Sequence, residues 1–224
     1  ILTTKPIFMK YFLSLILFCL SFQLADAQSN DGYILFDVKY DDMGLSKEEL
    51  AALPSQSEIW FKGNKMLMLM PSAMGFETRV VVDGDDVFVL MDMLGNKMAI
   101  KSSKTEMKDK NAAKSKQYSV KSITTDKKMI AGYECTKAIM SSEGEEDLTV
   151  WFTDKLKISG GWYYNMNGLN GFPLEFAMSA NGMKLWMVAR EINNEPVSSD
   201  KFVVPSGYKV MTQQELMQMF GNMK

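Results

Sequence analysis

QSEIWFKGNKMLMLM, Gln56 to Met70, is the stretch from which the fold is read. Two runs of strand-forming residues, Gln56–Lys62 and Lys65–Met70, flank Gly63-Asn64, a compact turn that predicts a β-hairpin. In an extended strand, residues two apart share a face. Met66, Met68 and Met70 therefore form one row, and Leu67 and Leu69 the opposite one. Both faces of this strand are apolar, whereas an antiparallel strand with one solvated face alternates.

Working outward, the same grammar repeats. Tyr33–Tyr40 alternates apolar Ile34, Phe36 and Val38 with Asp37 and Lys39. Phe76–Val82 and Asp86–Met93 flank Asp83-Gly84-Asp85, and Leu94-Gly95-Asn96-Lys97 turns into Met98–Lys101. Further strands are expected at Tyr118–Asp126, Glu134–Met140, Leu148–Thr153, Phe172–Ala180, Met183–Ile192 and Lys201–Val204, with Asn181-Gly182 as another tight turn. Short connections make successive strands antiparallel neighbours. Ser46-Lys47-Glu48-Glu49 and Thr212-Gln213-Gln214-Glu215 are capping boxes that start two short helices. The first should stop before Pro54, and Leu216, Met217, Met219 and Phe220 give the second an apolar side to lay on the sheet. Gly160–Leu169 reads as a turn or a short helix. The fold class is mainly β with minor α: a strongly curved antiparallel sheet, a half-barrel of about 10–12 strands, with short helices including a C-terminal one.

The dry second face needs a cover. Val87, Val89, Met91 and Met93 are opposed by Phe88 and Leu90, and Phe172, Leu174, Phe176 and Met178 share one parity. Helices are expected over one face. The other is covered by the sheet curling on itself, by a second subunit or by an apolar guest. Methionine is flexible and polarizable and packs against guests of variable shape; this chain has 20. Met68, Met70, Met91, Met93, Met178 and Trp186 are the candidate cavity-lining residues by parity.

The first 27 residues set the expected compartment. Residues 1–8 precede the first methionine and read as an upstream extension. Met9, Lys10, the apolar run Tyr11–Phe22 and Ala25-Asp26-Ala27 have the order of a signal peptide over 9–27, cleaved near Ala27. The remainder, 28–224, reads as a single curved-sheet domain in the periplasm or secreted. Removal of Cys19 leaves Cys135 alone, so stability must come from the core and not from a disulfide. Cys135 reads as a small buried residue on a strand.

Composition excludes several classes. With 25 Lys+Arg against 27 Asp+Glu the chain carries a net charge of −2, which does not suit a nucleic-acid binder. It has no histidine, the commonest general base and metal ligand, so no nucleophile–histidine pair is available and no catalytic residue is assigned. Asp83–Asp86 straddles a turn where Asp and Gly serve the backbone, and it lacks the ligand pattern of a calcium loop. Methionines are soft ligands for copper(I), yet most lie among leucines as core residues do, so no metal or cofactor is assigned. The segment from 101 to 117, KSSKTEMKDKNAAKSKQ, is lysine-rich and too polar for the core. It is expected as a solvated loop near 102–117, with contact to an anionic membrane surface or an acidic partner as the sharper reading.

Three segments in order resemble the DUF4412 family of secreted proteins of Bacteroidetes-type bacteria. They are IWFKGNKMLMLM followed by VVVDGDDVFVLM, then KKMIAGYECTKAIM followed by LTVWFTDKL, and FVVPSGYKVM before a helix. Gly132-Tyr133-x-Cys135 with Val150-Trp151-Phe152-Thr153-Asp154 is the most distinctive part. The resemblance implies the lipoprotein-carrier fold of LolA and LppX, a curved sheet around helices whose apolar concave cavity holds acyl chains. It brings no catalytic residue. Two functions stay open: an exported envelope module that binds a lipid or other apolar small molecule, or a structural or adhesive envelope protein with a filled methionine-rich core.

Overall fold

The computed structural model describes residues 30–41, 44–71, 77–93, 95–107, 109, 117–158, 166–180 and 183–221. The signal-peptide segment, the Asn181-Gly182 turn and residues 108 and 110–116 of the lysine-rich segment lie outside the described residues. Thirteen strands make one open, curved sheet. In chain order they are β1 (Asp31–Tyr40), β2 (Gln56–Lys62), β3 (Lys65–Pro71), β4 (Glu77–Asp83), β5 (Asp86–Met93), β6 (Asn96–Ser103), β7 (Tyr118–Ile130), β8 (Tyr133–Ser141), β9 (Leu148–Thr153), β10 (Met166–Asn167), β11 (Phe172–Ala180), β12 (Met183–Asn193) and β13 (Lys209–Thr212). Helix α1 spans Lys47–Ala52 and α2 spans Gln213–Gly221.

Across the sheet the order is β10-β7-β8-β9-β11-β12-β1-β2-β3-β4-β5-β6-β13. Two antiparallel meanders, β1 to β6 and β7-β8-β9-β11-β12, are thus welded by the β1–β12 pair, in which Val38 stands opposite Met187. The hairpins form where short turns predicted them. Between β7 and β8 the turn is Ala131-Gly132, where Ala131 holds a positive φ of 45° and Gly132 one of 86°. Such a turn matches the twist of the strands it joins. At both edges the added strand is parallel: β10 on β7 and β13 on β6.

Two clusters of buried side chains divide the faces. The large one, on what we call the inner face, holds Ile34, Phe36, Ile59, Phe61, Val80, Val82, Val150, Phe172, Leu174, Phe176 and Met187. Phe36 and Phe176 meet edge-on with ring centroids 6.0 Å apart, the favoured aromatic geometry. The small cluster on the outer face joins Leu67, Val81, Leu90 and Ala99 to Val197 and Phe202.

Three expectations are corrected. Lys201–Val204 is not a strand: Ser199–Phe202 is a 3-10 turn capped by Ser198, within a strap that crosses the outer face of β3 and β4. Its Phe202 is fully buried against the sheet and Tyr208 packs on the same cluster. Pro196 and Pro205 bracket the segment and, lacking an N–H each, disfavour extension of a strand through either end. Second, the helices do not cover a face. Helix α1 starts at the Ser46–Glu49 capping box and ends before Pro54, but it buries no residue. Third, α2 packs at the β6–β13 edge and leaves Met217 and Met219 exposed. The sheet covers itself, helped by Met107, Leu156, Ile158 and Leu169 from three connections.

Candidate functional site

The β3–β6 half of the inner face is built of three parallel rows of side chains, read directly from the register. The deepest runs Met66–Val82–Val87–Ser102, and all four are buried. The next runs Met68–Val80–Val89–Ile100; Met68 and Val80 are buried, Val89 and Ile100 half-buried. The outermost runs Met70–Thr78–Met91–Met98, with its three methionines half-buried and Thr78 exposed. Burial therefore falls in steps from the closed core to an apolar ledge. Neighbouring strands lie about 4.8 Å apart, so three intervals make the ledge roughly 14 Å long.

No ionisable side chain stands in these rows. One buried polar group continues the outermost row at its β2 end: Ser57, fully buried, whose Oγ has no hydrogen-bond partner among the described residues. Ser57 shares the inner face of β2 with Ile59 and Phe61 and stands opposite Phe36 of β1. Glu58 pairs with Leu69, so the next step along the ladder sets Ser57 beside Met70.

The residues picked by parity separate accordingly. Met68 lies in the core and Met70 and Met91 stand on the ledge. Met93 ends β5 opposite Asn96, and its side chain is outside the described residues. Met178 faces Leu185 on β11–β12, with three strands between it and Met70. Trp186 lies one position out of phase with buried Leu185 and Met187, half-buried and packed at the margin of the large cluster. Its indole N–H donates to Asp41 at 2.6 Å, and the Lys184 ammonium lies 5.3 Å from its ring centroid. Parity reasoning missed Met98 and Ser57, although both sit on the right parity of strands that were expected.

Met178 itself lines a separate cavity of about 170 Å³, together with Tyr118, Glu145, Glu146, Leu148, Ala177 and Lys184. Its walls are mixed in polarity. Burial raises the Tyr118 phenol, with the charges of Glu145 and Glu146 adding to the effect. Among the described residues no three of His, Cys, Asp and Glu gather as metal ligands, and no helix is long and apolar enough to cross a membrane. The outer face instead caps its aromatics with lysines: Lys97 over Tyr208, Lys101 over Phe88, Lys128 over Trp151 and Lys201 over Trp60.

No family model matches the chain, and no curated protein matches it. Among solved structures it is similar to an uncharacterised conserved protein of Thermus thermophilus, at 8% identity and TM-score 0.49 over 89% of this chain and 99% of that one. It is also similar to the Mycobacterium tuberculosis lipoprotein LppX, at 10% identity and TM-score 0.39 over 83% and 98%. A LolA superfamily protein of Nitrosomonas europaea aligns at 9% identity and TM-score 0.35, over 81% and 96%. Identities of this size carry no residue-by-residue correspondence.

Proposed function

We infer that the protein is an exported, non-catalytic module that binds an apolar, lipid-like molecule on the methionine ledge of its inner face. The observation that carries this reading is the stepped burial of the three rows, which leaves Met70, Met91 and Met98 in line at the open end of a dry face. Methionine side chains repack at low cost, so such a ledge accepts chains of different shape. The ledge holds no charge to bind a headgroup ionically, which leaves burial of apolar area as the source of affinity, about 25 cal/mol per Å². A protein purified by gentle means and extracted for mass spectrometry should release a lipid-like molecule. It should also bind a neutral, environment-sensitive fluorophore that Met91→Lys expels. Absence of both a co-purifying molecule and probe binding rejects the reading.

A second reading has its own observation. The middle of the inner cluster, Phe36, Ile59, Phe176 and Met187 on β1, β2, β11 and β12, is buried, and the mixed-polarity cavity lined by Met178 is only about 170 Å³. A chain with a filled core and no ligand would serve as a structural or adhesive envelope protein. The same extraction and probe experiment separates the two.

A further inference from the structure

We propose that Ser57 is the polar anchor of the ledge, and that the guest is an uncharged amphiphile: an alkyl chain bearing one hydroxyl, ester or amide group. This rests on the ledge reading above and adds the chemistry of the ligand's head. A buried serine hydroxyl carries one donor and two acceptor positions, and leaving them unpaired is costly. Ser57 Oγ is fully buried and unpartnered among the described residues, while of the other buried polar residues Thr153 accepts from the Lys155 N–H and Ser102 has a partner of its own. It sits on the inner face against Phe36 and Ile59, with Met70 beside it.

Position makes that hydroxyl useful. Met70 begins the row that continues through Thr78 and Met91 to Met98. A rotation of the flexible Met70 side chain uncovers Ser57 from the ledge, and a guest whose chain lies along the row brings its head to that point. The nearby phenol of Tyr40 is already committed, donating to the Pro54 carbonyl at 2.8 Å. No cation stands among the inner neighbours Phe36, Ile59 and Met70, so a carboxylate buried there would lack a counter-charge and be disfavoured. An uncharged oxygen function meets both demands.

The test compares octan-1-ol, methyl octanoate, octanoate at pH 8 and n-octane as competitors of a neutral fluorophore, on the wild-type protein and on Ser57→Ala. Ser57→Cys, which keeps volume with a weak donor, is the second variant, and thermal melts check that both fold. The expected result is that Ser57→Ala weakens octanol and the ester about tenfold, the worth of one hydrogen bond, and leaves octane unchanged. Ser57→Cys should fall between. Equal changes for octanol and octane overturn the anchor while leaving the ledge in place. Loss confined to octanoate overturns the uncharged head. If no competitor displaces the probe from the wild-type protein, the ledge and the anchor both fall.

Discussion

The ammonium of Lys201 stands 3.7 Å from the centre of the Trp60 ring, and the next residue, Phe202, is buried in the outer cluster. One turn of the strap thus holds the outer face of the first meander with a charge and a ring. Phe202→Ala should cost about 3–5 kcal/mol, and Lys201→Ala about 0.5–1 kcal/mol. Urea titrations followed by tryptophan fluorescence measure both. A Phe202→Ala protein as stable as wild type would mean that the strap does not secure the sheet.

The methionines of the stepped rows should respond differently to truncation. Met66→Ala opens a hole in the closed core and should cost about 2–5 kcal/mol. Met70→Ala and Met91→Ala, on the half-buried ledge, should each cost under about 1 kcal/mol and act on probe binding instead. A flat response across the three positions would contradict the stepped burial.

Cys135 is buried, its thiol 3.6 Å from the Tyr133 carbonyl, and burial pushes its pKa up from 9.0 to about 11. Below pH 9 the thiol is protonated in both folded and unfolded chains, and the folded state keeps its full advantage. As the pH rises from 9 through 11 the unfolded chain ionises first, so stability is lost over that window. Cys135→Ala should remove this alkaline slope. Labelling of the native protein by a thiol reagent at pH 8 should be much slower than labelling in denaturant; equal rates would place the thiol at the surface.

Both helices begin with reciprocal caps. Glu49 accepts the Ser46 backbone N–H at 2.8 Å, and Glu215 accepts both the N–H and the hydroxyl of Thr212. These bonds, the backbone one foremost, hold each carboxyl below its usual 4.5. The stabilisation is complete above pH 4.5 and fades as the pH falls through the lowered values. Circular dichroism between pH 5 and 2 should show the helical signal of Glu215→Ala already reduced at pH 5, with a smaller acid-induced change than in wild type. An unchanged acid limb would rule out the cap as its source.

Gly32 has a backbone φ of 154°, and a Cβ at that position would stand 2.1 Å from the Asn193 carbonyl oxygen. The contact lies at the weld between the two meanders. Gly32→Ala should cost at least about 2 kcal/mol through forced backbone movement. Gly84→Ala, in an open turn, meets only the Asn64 side chain at 3.8 Å and bears the positive-φ penalty alone. Thermal denaturation of the two variants should rank them in that order.

Much of the sheet was legible because its pairings are local. Gly63-Asn64 and Gly84-Asp85 determine turns, and two-residue periodicity determines which side chains share a face, so the common face of Met70 and Met91 was read from spacing alone. Trp186 stands apart: it lies one position out of phase with Leu185 and Met187, and a one-residue difference exchanges the faces. The strap was misread because Phe202-Val203-Val204 has the composition of a strand, while its Ser198 cap and flanking prolines favour a bent segment.

Chain order and periodicity determined the hairpins, the two helix starts, the absence of histidine chemistry and the methionine rows. Only the tertiary structure decided the weld of β1 to β12, the parallel strands β10 and β13 at the edges, the strap over the outer face and the burial of the Ser57 hydroxyl. The physical reason is range. A turn or a face is set by residues a few positions apart, whereas Val210 pairs with Ala99 and Tyr33 with Asn193. Such contacts form only when distant segments compete for the same buried surface, and that competition leaves no periodic mark on the sequence.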